Sequence, residues 1–361
     1  MKDNISSFQW LAMLTAPVSA VLMVNYIKLY VTAAGRGSYV AAVIVSLLTF
    51  LLLALVISLQ EKNGYSTIRQ TVSFLCGQKT ALFFTAAASL CFFLLTVESL
   101  NIYLYLVKFY FLPKTPELIL AVVLFLPAVY MAYCGFHSFT YMTTASLFAV
   151  ILFLLLFPFT KNNYLTANVL PLDDFYWQDI FTSLPVLFLS APAVAASFVA
   201  LPLCTDHRHL YRKAAIFTAV FCFLMIFLYA AGMMYFGEEI IKKLVLPFYN
   251  LSPFFKGNLL ERFDIFFMLA LLPVITIYSA FGFSVFTVLQ QDLLPTVNAR
   301  HRKSLIIGYG LCAVLLSVCT VNRLPLWKTY RATNVAALIL TAVFLLLYSA
   351  AALKRRRKPS C

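Results

Sequence analysis

The chain has 361 residues, 63% of them hydrophobic and 11% charged, with a mean hydropathy of +0.91, which excludes a water-soluble globular protein. A bilayer core of ~30 Å takes about 20 apolar residues per helix, and the apolar runs are continuous rather than alternating, so they read as helical spans and not as barrel strands. The net charge of +14 does not mark a nucleic-acid binder, because the basic residues sit in short clusters between apolar runs, where they act as topology signals.

In chain order the predicted spans lie near 8–32, 38–59, 82–107, 117–134 and 140–159. A polar connector with Lys161, Asn162, Asn163, Asp173, Asp174 and Asp179 follows, and then spans near 180–201, 213–236, 263–290, 304–322 and 332–353. The expectation is an all-α membrane protein of about ten transmembrane helices. It forms one polytopic domain over 1–361, with a first repeat at about 8–159 and a second at about 180–353. No short apolar stretch with a small-residue cleavage site opens the chain, so the first span is expected to be retained.

The first span carries Thr15-Ala16-Pro17-Val18-Ser19-Ala20, small residues around a proline that removes a backbone bond and opposes the preceding turn. Further along, Asn25, Lys28 and Thr32 share one helical face. Lys28 either pairs with an intramembrane acid or snorkels to the headgroups. In the third span Glu98 lies in an otherwise apolar stretch, where an ionisable group costs a few kcal/mol and must face protein or water. Asn101 and Tyr105 extend its polar stripe. The sixth span repeats the pattern of the first in Ser190-Ala191-Pro192-Ala193-Val194-Ala195. Matching interruptions in two halves point to an inverted-repeat fold that binds a small solute at mid-membrane; two ordinary proline kinks are the alternative.

Cys204-Thr205-Asp206-His207-Arg208-His209 looks like a metal cluster only superficially, because Arg208 adds positive charge and no second ligand group is near in sequence. The eighth span has Pro273, Thr276, Tyr278 and Ser279 within an aliphatic run, with Thr276 and Tyr278 as candidate hydrogen-bond donors to a ligand or as ordinary packing groups. The chain closes on Lys354-Arg355-Arg356-Arg357-Lys358, expected to anchor next to anionic lipid. Threading places both termini on the side richer in Lys and Arg, the cytoplasm. Cys76, Cys91, Cys134, Cys204, Cys222, Cys312, Cys319 and Cys361 lie in or beside apolar segments and are expected to be free thiols. No phosphate loop, catalytic Ser/His/Asp spacing or carboxylate pair stands out, so neither an enzyme, a metal nor a cofactor is expected.

Several short motifs occur in order along these spans. Ile5-Ser6-Ser7-Phe8-Gln9 opens the chain and Ala34-Gly35-Arg36-Gly37-Ser38-Tyr39 follows the first span. Leu112-Pro113-Lys114-Thr115-Pro116 follows the third, and Glu261-Arg262-Phe263-Asp264 opens the eighth. Together they make the chain resemble the B-subunit family of bacterial spore germinant receptors, within the amino acid/polyamine/organocation superfamily. Two departures are visible: the Asp that the family usually has after Ala-Gly is absent, and the glycines common at its first-helix break are replaced by Ala16, Pro17 and Ser19.

The resemblance implies a five-plus-five inverted repeat of the amino-acid-permease, leucine-transporter-like type. It implies a germinant pocket, for an amino acid, between the two interruptions. Ala16, Val18, Ser19, Asn25, Ser190 and Ala193 would form it, Glu98 and Asn101 would wall it, and Thr276 and Tyr278 would donate to it. It further implies a place in the inner membrane of the spore, with A-type and C-type receptor subunits as partners besides membrane lipid. Two other readings stay open here: a secondary transporter of amino acids or amines, and a structural subunit without ligand.

Overall fold

Apolar runs that must satisfy their backbone groups internally fold as helices. A computed structural model describes residues 4–24, 26–156, 175–244, 263–321 and 326–357. Its first half contains α1 (Ser7–Val24), α2 (Tyr26–Ala34), α3 (Ser38–Lys62), α4 (Ile68–Cys76), α5 (Gln78–Tyr110), α6 (Glu117–Cys134) and α7 (Phe136–Leu156). The second contains α8 (Trp177–Leu187), α9 (Ala191–Ala200), α10 (Leu210–Lys243), α11 (Phe263–Leu293), α12 (Ala299–Thr320) and α13 (Leu326–Arg357).

Among the described residues seven helical stretches are long and apolar enough to cross a membrane, and the chain is a multi-pass membrane protein. Within α11, 83% of the apolar window Leu272–Leu293 is buried, against 28–44% in the other six, so α11 is the central post while the others turn a face outward. α11 packs against α5, α6, α7 and α1, and α1 also touches α9 and α10. Seven of the cysteines are described and all are free thiols. Most of the connector with Lys161, Asn162, Asn163, Asp173 and Asp174 lies outside the described residues, as do Glu261 and Arg262.

The sixth span does break, but just before the expected stretch: of Ser190–Ala195 only Ser190 lies at the break, and Ala191–Ala195 are helical. α8 ends at Leu187, Phe188 leaves the helical region at φ −76°, ψ 66°, and α9 restarts at Ala191 with Pro192 in its first turn, where a missing N–H is tolerated. The first span differs from the expectation. α1 runs unbroken from Ser7 through Pro17 to Val24, so no break falls at Thr15–Ala20. The physical reason is local. Pro17 is the one proline in α1 and withholds a single donor, and neighbouring helices bury Ala12 and Ala16 beside it.

Two of the recognised motifs have structural work to do. Ser6 and Gln9 form a reciprocal cap at the start of α1, with Gln9 N–H on Ser6 Oγ at 3.2 Å and Ser6 N–H on Gln9 Oε1 at 2.7 Å. Leu112 to Pro116 make the tight turn between α5 and α6, in which Thr115 N–H bonds Leu112 O at 3.1 Å and Lys108 pairs with Glu117. At the opposite end of the molecule, the residues just before α1 are tied to those just after α9. Ile5 N–H bonds Leu203 O at 3.0 Å, Thr205 N–H bonds Ile5 O at 2.9 Å, and Ser7 donates to Asp206 at 3.4 Å. Lys213 donates to Ser7.

The basic C-terminal run differs in part from a pure lipid anchor. Lys354 donates to the carbonyls of Phe74 and Leu75 at 2.8 and 3.3 Å, and Arg355 donates to that of Asn63, so both clamp the ends of α3 and α4. Cations suit helix C-termini because the last carbonyls there lack helical partners.

Candidate functional site

The polar residues of the third and eighth spans meet because α5 and α11 run antiparallel in close contact. At Gly282 a Cβ would stand 2.7 Å from Thr96 Oγ1 and 3.1 Å from the Phe92 carbonyl, so only glycine allows this approach. Along the seam Gln290 donates to Ser89 at 2.7 Å, Ser99 to Ser279 at 3.2 Å, and Tyr103 and Thr276 share a bond at 3.3 Å. Thr276 is half-buried and also bonds the Leu272 carbonyl at 2.8 Å.

Glu98 sits in the middle of this seam, 3% exposed. Its Oε2 accepts from Tyr278 at 3.5 Å, a long bond, and Thr333 of α13 also hydrogen-bonds its carboxylate. Among the described residues, buried Oε1 has no hydrogen-bond partner. A buried acceptor left unmade costs about 1–3 kcal/mol.

Asn101 lies one turn further along α5 but faces another helix. Its amide donates to Thr320 at 2.9 Å and accepts from Ser317 at 2.5 Å, which makes it a joint between α5 and α12. Lys28 is half-buried on α2 and forms no ion pair with Glu98.

The second polar group lies at the break between α8 and α9. Ser190 and Ala193 are fully buried there, and Ser190 Oγ shares a bond with Thr49 Oγ1 at 2.6 Å. Tyr30 of α2 donates to the Leu187 carbonyl at 2.7 Å, tying the outer part of the first span to the break in the sixth. Because the Ser190 hydroxyl is committed to Thr49, α9 begins without a side-chain cap. Of its first-turn amides, Pro192 has no N–H and Ala191 N–H bonds the Phe188 carbonyl at 3.1 Å, while Val194 N–H bonds that of Ser190 at 3.0 Å. Ala16, Val18 and Ser19 are buried on α1, and Asn25 lies outside the described residues.

Thr49, Tyr30 and Thr333 join the site from outside the expected set. A usable signal existed for Tyr30 alone: it follows Tyr26 at i+4 in an apolar helix, and a buried tyrosine hydroxyl needs a partner. Outside the spans, Asp206 is held below the ordinary carboxylate range by the Arg208 N–H and, after partial burial opposes it, by Lys213. Among the described residues no group of three His, Cys, Asp or Glu is placed to hold a metal.

A family model described as spore germination protein matches residues 4–323. The chain belongs to the spore germination protein family. No curated protein matches it by sequence. Among solved structures, this spore germination protein is similar to a Na+-coupled sialic acid symporter in its substrate-bound, outward-open state. The TM-score is 0.62 and the identity 14%, over 94% of this chain and 78% of that one. At that identity the likeness shows the fold alone. It is the leucine-transporter-like architecture, in agreement with the broken helix α8–α9 and the central post α11.

Proposed function

We propose that this spore germination protein is the membrane subunit of a nutrient germinant receptor, binding a small germinant, an amino acid, and triggering germination without net transport or catalysis. One observation carries the reading: Glu98, buried with an unpartnered Oε1 where the third, eighth and tenth spans meet. A carboxylate in that state suits the ammonium group of an amino acid.

Sensing requires the ligand to favour one of two conformations. The bonds that tie Ile5 to Leu203 and Thr205, and Tyr30 to Leu187, join the first span to the broken sixth at both ends and are natural places for such states to differ. Almost all of the mass lies in the membrane, so the signal passes to partners: an A-type subunit with a soluble domain and a C-type lipoprotein, in the inner membrane of the spore, with both termini of this chain cytoplasmic. The symporter-like fold favours a second reading, a secondary transporter of amino acids or amines. Deleting the gene separates the two. The receptor reading expects loss of germination to a nutrient with unchanged amino-acid uptake by growing cells; an uptake defect with normal germination contradicts it.

A further inference from the structure

α6 and α12 face each other across a cleft of about 440 Å³ that opens sideways from the helix bundle. One wall is the face of α6 that carries Val122, Leu126, Val129 and Tyr133, and the other is formed by Gly310 and Leu311 of α12. Leu126 is 64% exposed and Leu311 57%, so none of the described residues covers the cleft. Its floor is set by Gly310, where a Cβ would stand 2.7 Å from Val129 Cγ2. The run from Val122 to Tyr133 spans about 17 Å at 1.5 Å per residue, which is about half of a ~30 Å bilayer core.

One end of the cleft is cationic. Lys303 Nζ stands 4.5 Å from the centre of the Tyr133 ring, and Arg300, His301 and Arg302 precede it in the first turn of α12. No acidic residue follows Asp292 in the sequence, and the only acid of α6, Glu117, is at the far end of that helix. Asp292 is itself engaged with Arg69.

We propose that this cleft seats one acyl chain of an anionic phospholipid, with the phosphate held by Lys303 and its basic neighbours. The cation at one end selects a lipid over a partner helix, because a phosphate seated on Lys303 sends its acyl chain along the cleft for the ~17 Å that half a bilayer core requires. Charge selects an anionic lipid over a zwitterionic one, since near a membrane surface each basic residue favours anionic headgroups. The site is separate from the germinant pocket, and its test does not depend on that reading.

The full-length protein in detergent, titrated with phosphatidylglycerol and with phosphatidylcholine of identical chains, tests the proposal when retained lipid is counted by native mass spectrometry. Wild type is expected to retain one phosphatidylglycerol with at least about a tenfold preference. Lys303→Gln should remove most of that preference. Leu126→Trp combined with Leu311→Trp should lower the occupancy of both lipids with an unchanged helical circular dichroism spectrum. Equal retention of the two lipids by wild type, or a Lys303→Gln variant with its preference intact, would overturn the proposal. Because Lys303 is exposed, that substitution stays informative even if the double tryptophan variant does not fold.

Discussion

At the scale of single residues, the chemistry of Glu98 is set by what it lacks. Gln keeps the shape and the bonds from Tyr278 and Thr333 but removes the charge. Spores carrying Glu98→Gln should therefore need about tenfold more germinant, the loss of a ~1.4 kcal/mol interaction, at equal protein level. Asn101 makes the contrasting case. Ser317→Ala leaves Asn101 Oδ1 without that donor, so thermal unfolding of the detergent-solubilised protein should show a loss of about 1–3 kcal/mol with an unchanged germinant response. Gly282→Val should be at least as damaging, since part of its clash is with the backbone carbonyl of Phe92. Much of this was legible in the sequence where a residue was out of place: an acid in an apolar span announces itself. The partners were not. Thr333 and Thr49 are ordinary span residues whose importance comes from contacts more than a hundred positions away in sequence.

At the scale of elements, the same pattern of small residues around proline had two outcomes. In the sixth span Pro185 and Pro192 each withhold a donor on either side of Phe188 to Ser190, and the helix opens between them. In the first span Pro17 acts alone, Thr15 and Ser19 bond back to the helix, and α1 stays continuous. Sequence pattern revealed where helices were weakened, and the span with two prolines on either side of the weak point is the one that parted. Ala at position 17 would supply an N–H within reach of the Met13 carbonyl. Pro17→Ala is thus expected to leave the thermal midpoint unchanged or raised; a fall of several degrees would show that the fold depends on a kink at Pro17.

At the scale of the whole molecule, apolar run length was enough to foresee an all-helical membrane fold, because helix is the form a lipid-spanning chain is driven to adopt, while its leucine-transporter-like type was implied by the family resemblance of the short motifs. Which helix stands at the centre was not foreseeable, since α11 is no more apolar than its neighbours and differs only in burial. Orientation follows from the distribution of Lys and Arg. In intact, wall-stripped cells Cys361 should resist an impermeant maleimide, and labelling there would reverse the proposed topology. The central claim is that this spore germination protein holds an amino acid through Glu98. Calorimetric titration of the purified wild-type protein and the Glu98→Gln variant with a panel of L-amino acids tests it most directly. At least one amino acid should bind wild type and bind the variant about tenfold more weakly. A panel without a binder, or a binder held equally by both proteins, would contradict the claim.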